Sequence, residues 1–204
     1  MTIEPVSVDG LVDRIVARVL APGADRVRVL VDGAPSTEPG TLADALVGPL
    51  RAAGRPVVRV HADDFQRPAS IRLEHGRQDP DAYLEDRLDL RALGAEVLDR
   101  FAADGSYLPT LWDADRDRAT RAPVEQSPPG AVLILDGSLL LGRWLDHDVA
   151  VHLTVRPATL ARRTPEADRW VLAAFARYDE ELLPRDVADL VVHVDDPRHP
   201  AVEV

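Results

Sequence analysis

Apolar residues follow two spacings along this chain, and each spacing predicts one kind of secondary structure. Positions 11 to 20 carry apolar residues every three or four residues, which predicts an amphipathic helix that ends at Pro22 and Gly23. Short apolar runs bounded by turn residues predict buried strands, at 27–31, 56–60, 131–135, 149–155 and 190–194. Helical spacing returns between these runs, at 41–53, at 80–103 with an interruption near Asp89, at 158–163 and at 167–183.

The order of these elements predicts the fold class. Strands that alternate with helices form right-handed βαβ units, and such units build a parallel sheet flanked by helices. We therefore expect an α/β protein in which the helix within 1–23 precedes a core at 27–200. The stretch 104–130 is rich in Asp, Arg and Pro and is predicted to be a loop with a short hairpin around 107–112. The expected linkers are 127–130 and the tail after Asp196.

Composition narrows the class of protein. A chain of 204 residues with 46% hydrophobic content suits one domain, 1–204. Its net charge of −11 argues against a nucleic-acid partner and against an anionic membrane surface. Cysteine is absent, which excludes disulfides and thiolate metal sites, and the N-terminus has no basic, apolar leader pattern. We expect a cytoplasmic protein.

The segment from 27 to 42 has the layout of a phosphate-binding P-loop, in which a buried strand runs through a glycine turn into a helix. Counted from Gly33, however, Glu38 stands at the second glycine, Pro39 at the lysine and Gly40 at the hydroxyl of Gly-x-x-x-x-Gly-Lys-[Ser/Thr]. If Gly40 is taken as the second glycine, Thr41 stands at the lysine. The chain contains no lysine, since its 24 basic residues are all arginine. The sequence thus predicts a P-loop NTPase-like sheet with a degenerate loop.

A second interpretation of the same loop is an ordinary helix start. Thr37 would then be the N-cap, Glu38 would lie in the first turn, and Pro39 would be tolerated there. Elsewhere, Asp32, Asp63 and Asp136 follow predicted strands. Because ligands bind beyond the carboxyl ends of parallel strands, these acids could hold Mg²⁺ and orient an attacking hydroxyl, or could simply cap the next element.

The three histidines near these strands carry a weaker signal. None has a paired metal-ligand spacing, so they are interpreted as packing or surface residues: His61, His75 and His152.

The order of these segments resembles the uridine kinase and phosphoribulokinase branch of P-loop kinases, and in particular the actinobacterial proteins that carry the uridine kinase label. The resemblance rests on 31–33 with the following helix, Asp63-Asp64-Phe65, 79–82, 107–113, Leu133-Ile134-Leu135-Asp136-Gly137 and Ala161-Arg162-Arg163 before Asp168-Arg169. It implies a lid with its following helix at 157–183. The pattern is spread over about 27 to 200.

The resemblance also implies roles for single residues. Asp63 matches the aspartate that orients the acceptor hydroxyl and helps to remove its proton, and Asp136 matches the acid near Mg²⁺. The implied acceptor pocket consists of Asp64, Phe65, Arg67, Tyr83 and Asp113. The implied nucleotide site consists of Gly33, Gly40, Thr41, Arg162, Arg163 and Arg169. Phe65 and Tyr83 could equally be core aromatics, and the arginines a solvated helix face.

Two functions remain open at this point. The chain could be a pseudoenzyme that keeps a nucleoside-like acceptor pocket, impaired or lost in ATP-dependent phosphoryl transfer and without a cofactor. It could also be an active nucleoside or small-molecule kinase that uses Mg²⁺ and ATP, in which an arginine such as Arg67, Arg72, Arg162 or Arg163 replaces the lysine. A lost donor at the transition state costs about 3–4 kcal/mol, or roughly 10²- to 10³-fold in rate, which favours the first.

Overall fold

The computed structural model describes residues 2–21 and 23–203. Eleven strands are present in these residues: β1 Ile3–Pro5, β2 Val27–Gly33, β3 Val57–His61, β4 Ser106–Tyr107, β5 Trp112–Asp113, β6 Arg118–Ala119, β7 Glu125–Gln126, β8 Val132–Gly137, β9 Val149–Thr154, β10 Leu190–His193 and β11 Ala201–Glu203. Seven of them form one sheet in the order β1-β11-β10-β9-β2-β8-β3. The five strands from β10 to β3 are parallel to one another, and β11 and β1 add antiparallel pairs. The sheet is therefore mostly parallel.

Helices cover both faces of this sheet. The α-helices of the described residues are α1 Val8–Leu20, α2 Pro39–Ala52, α3 Ala69–Arg72, α4 Pro80–Glu85, α5 Leu90–Ala92, α6 Arg100–Asp104, α7 Pro157–Arg163, α8 Leu172–Arg177 and α9 Pro184–Val187. Two π-helical turns, Leu93–Asp99 and Tyr178–Leu182, extend the helical stretches around α6 and α8. None of the helices among these residues is both long enough and apolar enough to cross a membrane.

Side chains of the central strands point alternately to the two faces of the sheet, so the core has two layers. Val132 and Ile134 of β8 face α1 and α2, where they join Ile15 and Leu46. Their neighbours Leu133 and Leu135 face the opposite side and pack in the cluster that holds the 93–104 and 171–178 helices. Successive side chains of a strand point to opposite faces, so a wholly apolar run must be covered on both. This arrangement is what the run 131–135 predicted.

The long helices and the parallel strands lie within a few residues of their predicted positions. The interruption near Asp89 is confirmed, since its carboxylate accepts a hydrogen bond from the Ala92 amide and begins a new helix there. The predicted helix at 167–183 is composite: a 3₁₀ segment at Glu166–Val171 precedes α8, and a π-turn follows it.

Three sequence predictions are wrong. The tail after Asp196 is not a linker, because β11 pairs with β10 and with β1. The hairpin lies further along than 107–112, since β5 pairs with β6 while β4 pairs with β7. Thr37 does not cap α2: its hydroxyl donates to the Ala34 carbonyl, and the N-cap position is held by Glu38 without a side-chain hydrogen bond.

Candidate functional site

The loop between β2 and α2 is a tight 3₁₀ turn at Pro35–Thr37. Within this turn the amide of Thr37 donates to the Ala34 carbonyl at 2.8 Å and the amide of Glu38 donates to the Pro35 carbonyl at 3.1 Å. Pro35 and Pro39 have no amide hydrogen to offer. An anion nest needs successive amides that point into one concavity. In this loop, two amides are thus bonded within the turn and two positions are prolines.

The backbone of the loop still has the geometry of a glycine position at residue 38. Glu38 adopts φ 56° and ψ 55°, the left-handed region that favours glycine. A Cβ on Gly33 would lie 2.9 Å from Cβ of Leu153, so only glycine fits there. A Cβ on Gly40 would lie 3.2 Å from Oδ2 of Asp136. The backbone conformation at residue 38 and the close contacts at residues 33 and 40 constrain the path of the loop.

Asp136, expected to lie near a metal ion, is held by basic side chains. Its carboxylate is 7% exposed and accepts hydrogen bonds from the Arg59 guanidinium at 2.5 Å and from the His61 ring at 3.0 Å. The register of the sheet produces this contact, because His61 lies opposite Asp136 in the β3–β8 pair. Arg59 also binds Asp44 of α2.

These residues do not fit Mg²⁺. Gly40 supplies no hydroxyl ligand, and each oxygen of the Asp136 carboxylate already has a basic partner, Arg59 or His61. Nowhere in 2–21 and 23–203 do three or more carboxylate or imidazole side chains gather in a way that could hold a metal ion.

A second buried acid, Asp32, lies directly before the loop. Its side chain is fully buried and accepts hydrogen bonds from the Leu140 amide at 2.9 Å and the Tyr178 hydroxyl at 3.0 Å, while the His152 ring lies 2.8 Å away. The hydroxyl of Tyr178 in turn accepts a hydrogen bond from the Leu141 amide at 2.8 Å. Asp32 therefore connects β2, β9, the turn after β8 and the helix at 172–182.

Asp63, the expected catalytic acid, is paired with Arg87. The guanidinium donates to the Asp63 carboxylate at 2.5 Å and to the Ser138 carbonyl at 3.1 Å, and it lies 4.8 Å from the centre of the Tyr83 ring. The Asp63 carboxylate is 65% exposed, so one side of it faces solvent. The structure thus brings Asp63 and Tyr83 together around an arginine. The cavity between Tyr83 and Arg87 leaves no room for a water molecule.

The other expected acceptor residues do not converge on one pocket. Phe65 is fully buried in the core and has no surface that a ligand could contact. Arg67 pairs with Asp86 at 2.7 Å. Asp113 pairs with Arg116 at 2.9 Å, and hydrogen bonds from the Arg116 amide and guanidinium lower the pKa of its carboxyl.

Asp64 lies beside the strand-end acids. Burial, together with the nearby charges of Asp63 and Asp136, raises the pKa of the Asp64 carboxyl, against the opposing effect of His61. Its backbone carbonyl accepts a hydrogen bond from the Leu111 amide at 2.9 Å, which ties the 105–126 loop to this edge of the sheet.

The expected lid arginines lie at and beyond the end of α7. Arg163 donates to the backbone carbonyls of Ser36, Val194 and Asp195, at 3.4, 3.1 and 2.8 Å. Its guanidinium therefore lies against the 35–37 turn and is engaged in backbone contacts. Arg162 and Arg169 are exposed.

A groove of about 410 Å³ opens beside the loop. Its walls are apolar residues of α1, α2, β9 and the chain after β10, and its polar residues are Ser36, Thr37, Glu38, Thr41 and Arg163. The hydroxyl oxygen of Ser36 is buried without a hydrogen-bond partner among the described residues. Pockets for small molecules are commonly about 300–1,000 Å³, mainly apolar with a few polar groups, and this groove has that character. Of the expected nucleotide residues, it contains Thr41 and Arg163.

Sequence reasoning missed the basic partners of the strand-end acids, Arg59, Arg87 and His152. One signal was present: Arg59 and His61 interrupt the apolar run of β3 at alternate positions, so they share one face of the strand. The sequence does not say which strand lies next to β3, and so the partner, Asp136, could not be identified.

The three tyrosines of the chain are expected to lose their protons at a higher pH than an ordinary tyrosine does. Burial and a 2.6 Å hydrogen bond to Glu125 raise the pKa of Tyr107 from 10.0 to about 12. Burial likewise raises the pKa of Tyr83 and, together with the charge of Asp32, that of Tyr178. The folded state then binds these protons more tightly than the unfolded state does. The stability that Tyr107 contributes is present in full below pH 10 and is lost as the pH rises towards 12.

Tyrosinate absorbance at about 295 nm, followed from about pH 9 upward on the native and the urea-unfolded protein, checks this expectation. The reference is the ordinary tyrosine pKa of about 10. The unfolded chain should give the ordinary transition and the native chain a delayed one. A native transition of full amplitude at the ordinary pKa would contradict it. Tyr107→Phe should remove the component that titrates about pH 12.

Comparison with known proteins identifies the fold of this chain. No protein-family model and no curated protein sequence matches the chain. Solved structures do match. The possible uridine kinase of Bacillus stearothermophilus superposes with a TM-score of 0.72 at 23% identity, over 90% of this chain and 96% of that one.

Two further kinases match with lower scores. D-glycerate 3-kinase of Cryptococcus neoformans has a TM-score of 0.61 at 15% identity, over 90% and 95% of the two chains. Phosphoribulokinase of Rhodobacter spheroides has a TM-score of 0.53 at 14% identity, over 83% of this chain and 70% of that one. The mostly parallel sheet flanked by helices is thus the P-loop kinase fold, shared with uridine kinase-, glycerate kinase- and phosphoribulokinase-like proteins.

Proposed function

We propose that this chain is a uridine kinase-like protein that is impaired or lost in ATP-dependent phosphoryl transfer and that binds a nucleoside-like small molecule. The observation that carries the proposal is the loop before α2. Pro39 stands at the lysine position, Gly40 stands at the hydroxyl position, and the residue before them, Glu38, is exposed. Each of these residues acts against binding of the β- and γ-phosphates.

The strand-end acids support the same function. In a phosphotransferase such acids hold a metal ion or orient the attacking hydroxyl, so they need free lone pairs. Asp136 is bound by Arg59, Asp63 by Arg87, and Asp32 by His152 and Tyr178. Internal partners therefore occupy the groups on which the chemistry would depend.

The groove beside the loop is the place that we assign to the small molecule. It has the volume and the apolar walls that a flat heteroaromatic group requires, and its lining includes the hydroxyl residues Ser36 and Thr41. The Asp63 side has less room, since Tyr83 and Arg87 pack against each other there. The ligand would bind without a phosphate chain, because Glu38 lies where that chain would run.

Calorimetric titration of the purified protein at low salt tests the proposal, with Mg·ATP and a panel of nucleosides as separate ligands. We expect nucleoside binding without ATP binding. Ala45→Trp should fill the groove and abolish the binding. Ala52→Trp, on the same helix but outside the groove, is the matched control and should leave it unchanged. Micromolar binding of Mg·ATP would contradict the proposal, and nucleoside binding that survives Ala45→Trp would contradict the site.

The alternative is an active nucleoside or small-molecule kinase in which an arginine replaces the lysine. Arg163 favours it, because its guanidinium lies 3.4 Å from the Ser36 carbonyl within the loop. The same titration separates the two functions. An arginine-based kinase would bind Mg·ATP, would lose that binding in Arg163→Ala, and would keep it in the control Arg162→Ala. Asp63→Asn would then abolish phosphoryl transfer.

A further inference from the structure

Arg59 occupies an unusual place for a charged side chain. It lies on β3, within the parallel part of the sheet, and its side chain is only 15% exposed. One end of the guanidinium binds the nearly buried carboxylate of Asp136 on β8, and the other binds the exposed carboxylate of Asp44 on α2. Arg59 therefore joins a strand end to the helix that follows the loop.

The contact between Arg59 and Asp136 lies beside the loop before α2. One of its carboxylate oxygens lies 3.2 Å from the place of a Cβ on Gly40, the residue at the hydroxyl position of the loop. A carboxylate and a hydroxyl so placed are the groups that hold a divalent cation in a P-loop. Here the hydroxyl is missing, and the cationic neighbour of the carboxylate is a guanidinium.

The Arg59 guanidinium and a divalent ion would compete for the same nearly buried carboxylate, that of Asp136. A buried carboxylate without a counter-charge is strongly unfavourable, so Asp136 requires Arg59 or a substitute for it. A divalent ion would have to displace the guanidinium, bring its own charge beside Arg59, and find ligands in place of the missing hydroxyl. His61, whose ring lies 3.0 Å from the Asp136 carboxylate, adds a further donor that would have to turn away or become a ligand.

We propose that Arg59 is the resident cation at Asp136: its guanidinium takes the place of a divalent metal ion beside the loop. The inference rests on the proposed function, since a protein without phosphoryl transfer needs no metal ion there. Removal of Arg59 should leave the Asp136 carboxylate and the His61 ring free to bind a divalent cation.

Mn²⁺ binding, followed by the electron paramagnetic resonance signal of the free ion, tests the inference on the full chain. Wild type should show no saturable binding that depends on Asp136. Arg59→Ala should bind one Mn²⁺ at least about tenfold more tightly than wild type, a difference of about 1.4 kcal/mol. The double variant Arg59→Ala/Asp136→Asn should lose that binding. Arg59→Lys keeps the positive charge and should behave as wild type does.

Either of two results would overturn the inference. The first is saturable Mn²⁺ binding by wild type that disappears in Asp136→Asn. The second is a folded Arg59→Ala or Arg59→Gln that gains no site. If both variants fail to fold, the wild-type measurement still decides. The proposed function fails on a different readout, calorimetric binding of Mg·ATP, whereas this test uses Mn²⁺ without nucleotide, so the two failures are distinguishable.

Discussion

Replacing Asp32 with alanine is expected to lower the free energy of unfolding by about 3–5 kcal/mol, the usual cost of removing one partner from a buried charged network. The carboxylate is fully buried and binds His152, the Leu140 amide and the Tyr178 hydroxyl. Without it, three polar groups from three different elements lose their partner away from water. Urea denaturation followed by circular dichroism measures the change.

Two control variants frame this measurement. Glu4→Ala removes an exposed ion pair with Arg14 and should cost between about 0 and 1 kcal/mol. Tyr178→Phe removes one hydroxyl from the network and should cost about 1–3 kcal/mol, less than the loss of the carboxylate. A loss of less than about 1 kcal/mol in Asp32→Ala would show that the network does not hold the helix at 172–182 against the sheet.

The parts of the fold that are encoded locally could be predicted from the sequence. The apolar run of β8 is long enough, and bounded clearly enough by Gly130 and Gly137, to be identified as a buried central strand. By contrast, β1 and β11 are three residues each, and Pro5 stands within one and Pro200 directly before the other. They exist because they pair with each other at an edge of the sheet. A pairing between the two ends of the chain leaves no local pattern.

The loop before α2 shows a different limit. The sequence Thr37-Glu38-Pro39 is an acceptable capped helix start, and local propensity alone favours Thr37 as the cap. In the structure Glu38 takes the left-handed conformation instead, and Thr37 turns its hydroxyl to the Ala34 carbonyl. The close approach of Gly33 to Leu153 on β9 constrains this turn. Tertiary packing thus overrides the local preference.

The strand-end positions of the acids could be predicted from sequence, but the partners of their side chains could not. Asp32, Asp63 and Asp136 lie at or just beyond the ends of β2, β3 and β8, and no cluster that could hold a metal ion forms there among the described residues. Whether those acids are free depends on Arg59, Arg87 and His152, which reach them across the sheet or from a separate segment. Contacts of that kind depend on the order and register of strands that are not consecutive in the chain.

Rebuilding the loop is expected to restore ATP binding. The variant Glu38→Gly/Pro39→Lys/Gly40→Ser returns the glycine, the lysine and the hydroxyl to their positions in one change. Glycine accepts the φ of 56° at residue 38 without strain, and the substitution removes a carboxylate from the path of the phosphates. The lysine adds a charged donor. A hydrogen bond to a charged group contributes about 1.5–3 kcal/mol, so ATP affinity should rise roughly 10- to 10²-fold by calorimetry.

The control Glu38→Gly separates the repulsion by the Glu38 carboxylate from the attraction by the new lysine. It removes the carboxylate but adds no donor, so its gain in ATP affinity should be clearly smaller than that of the rebuilt loop. No gain in either variant would mean that the donor side is lost more widely than at the loop.

The effect of Mg²⁺ on ATP binding by the rebuilt loop is expected to depend on Arg59. While Arg59 holds Asp136, the rebuilt protein should bind ATP with similar affinity in Mg²⁺ and in EDTA. Adding Arg59→Ala to the rebuilt loop frees the carboxylate beside the new Ser hydroxyl, and ATP binding should then become stronger with Mg²⁺ than without it. Tighter binding in Mg²⁺ before Arg59 is removed would contradict this order of events, because the metal would then have found ligands that do not depend on Asp136.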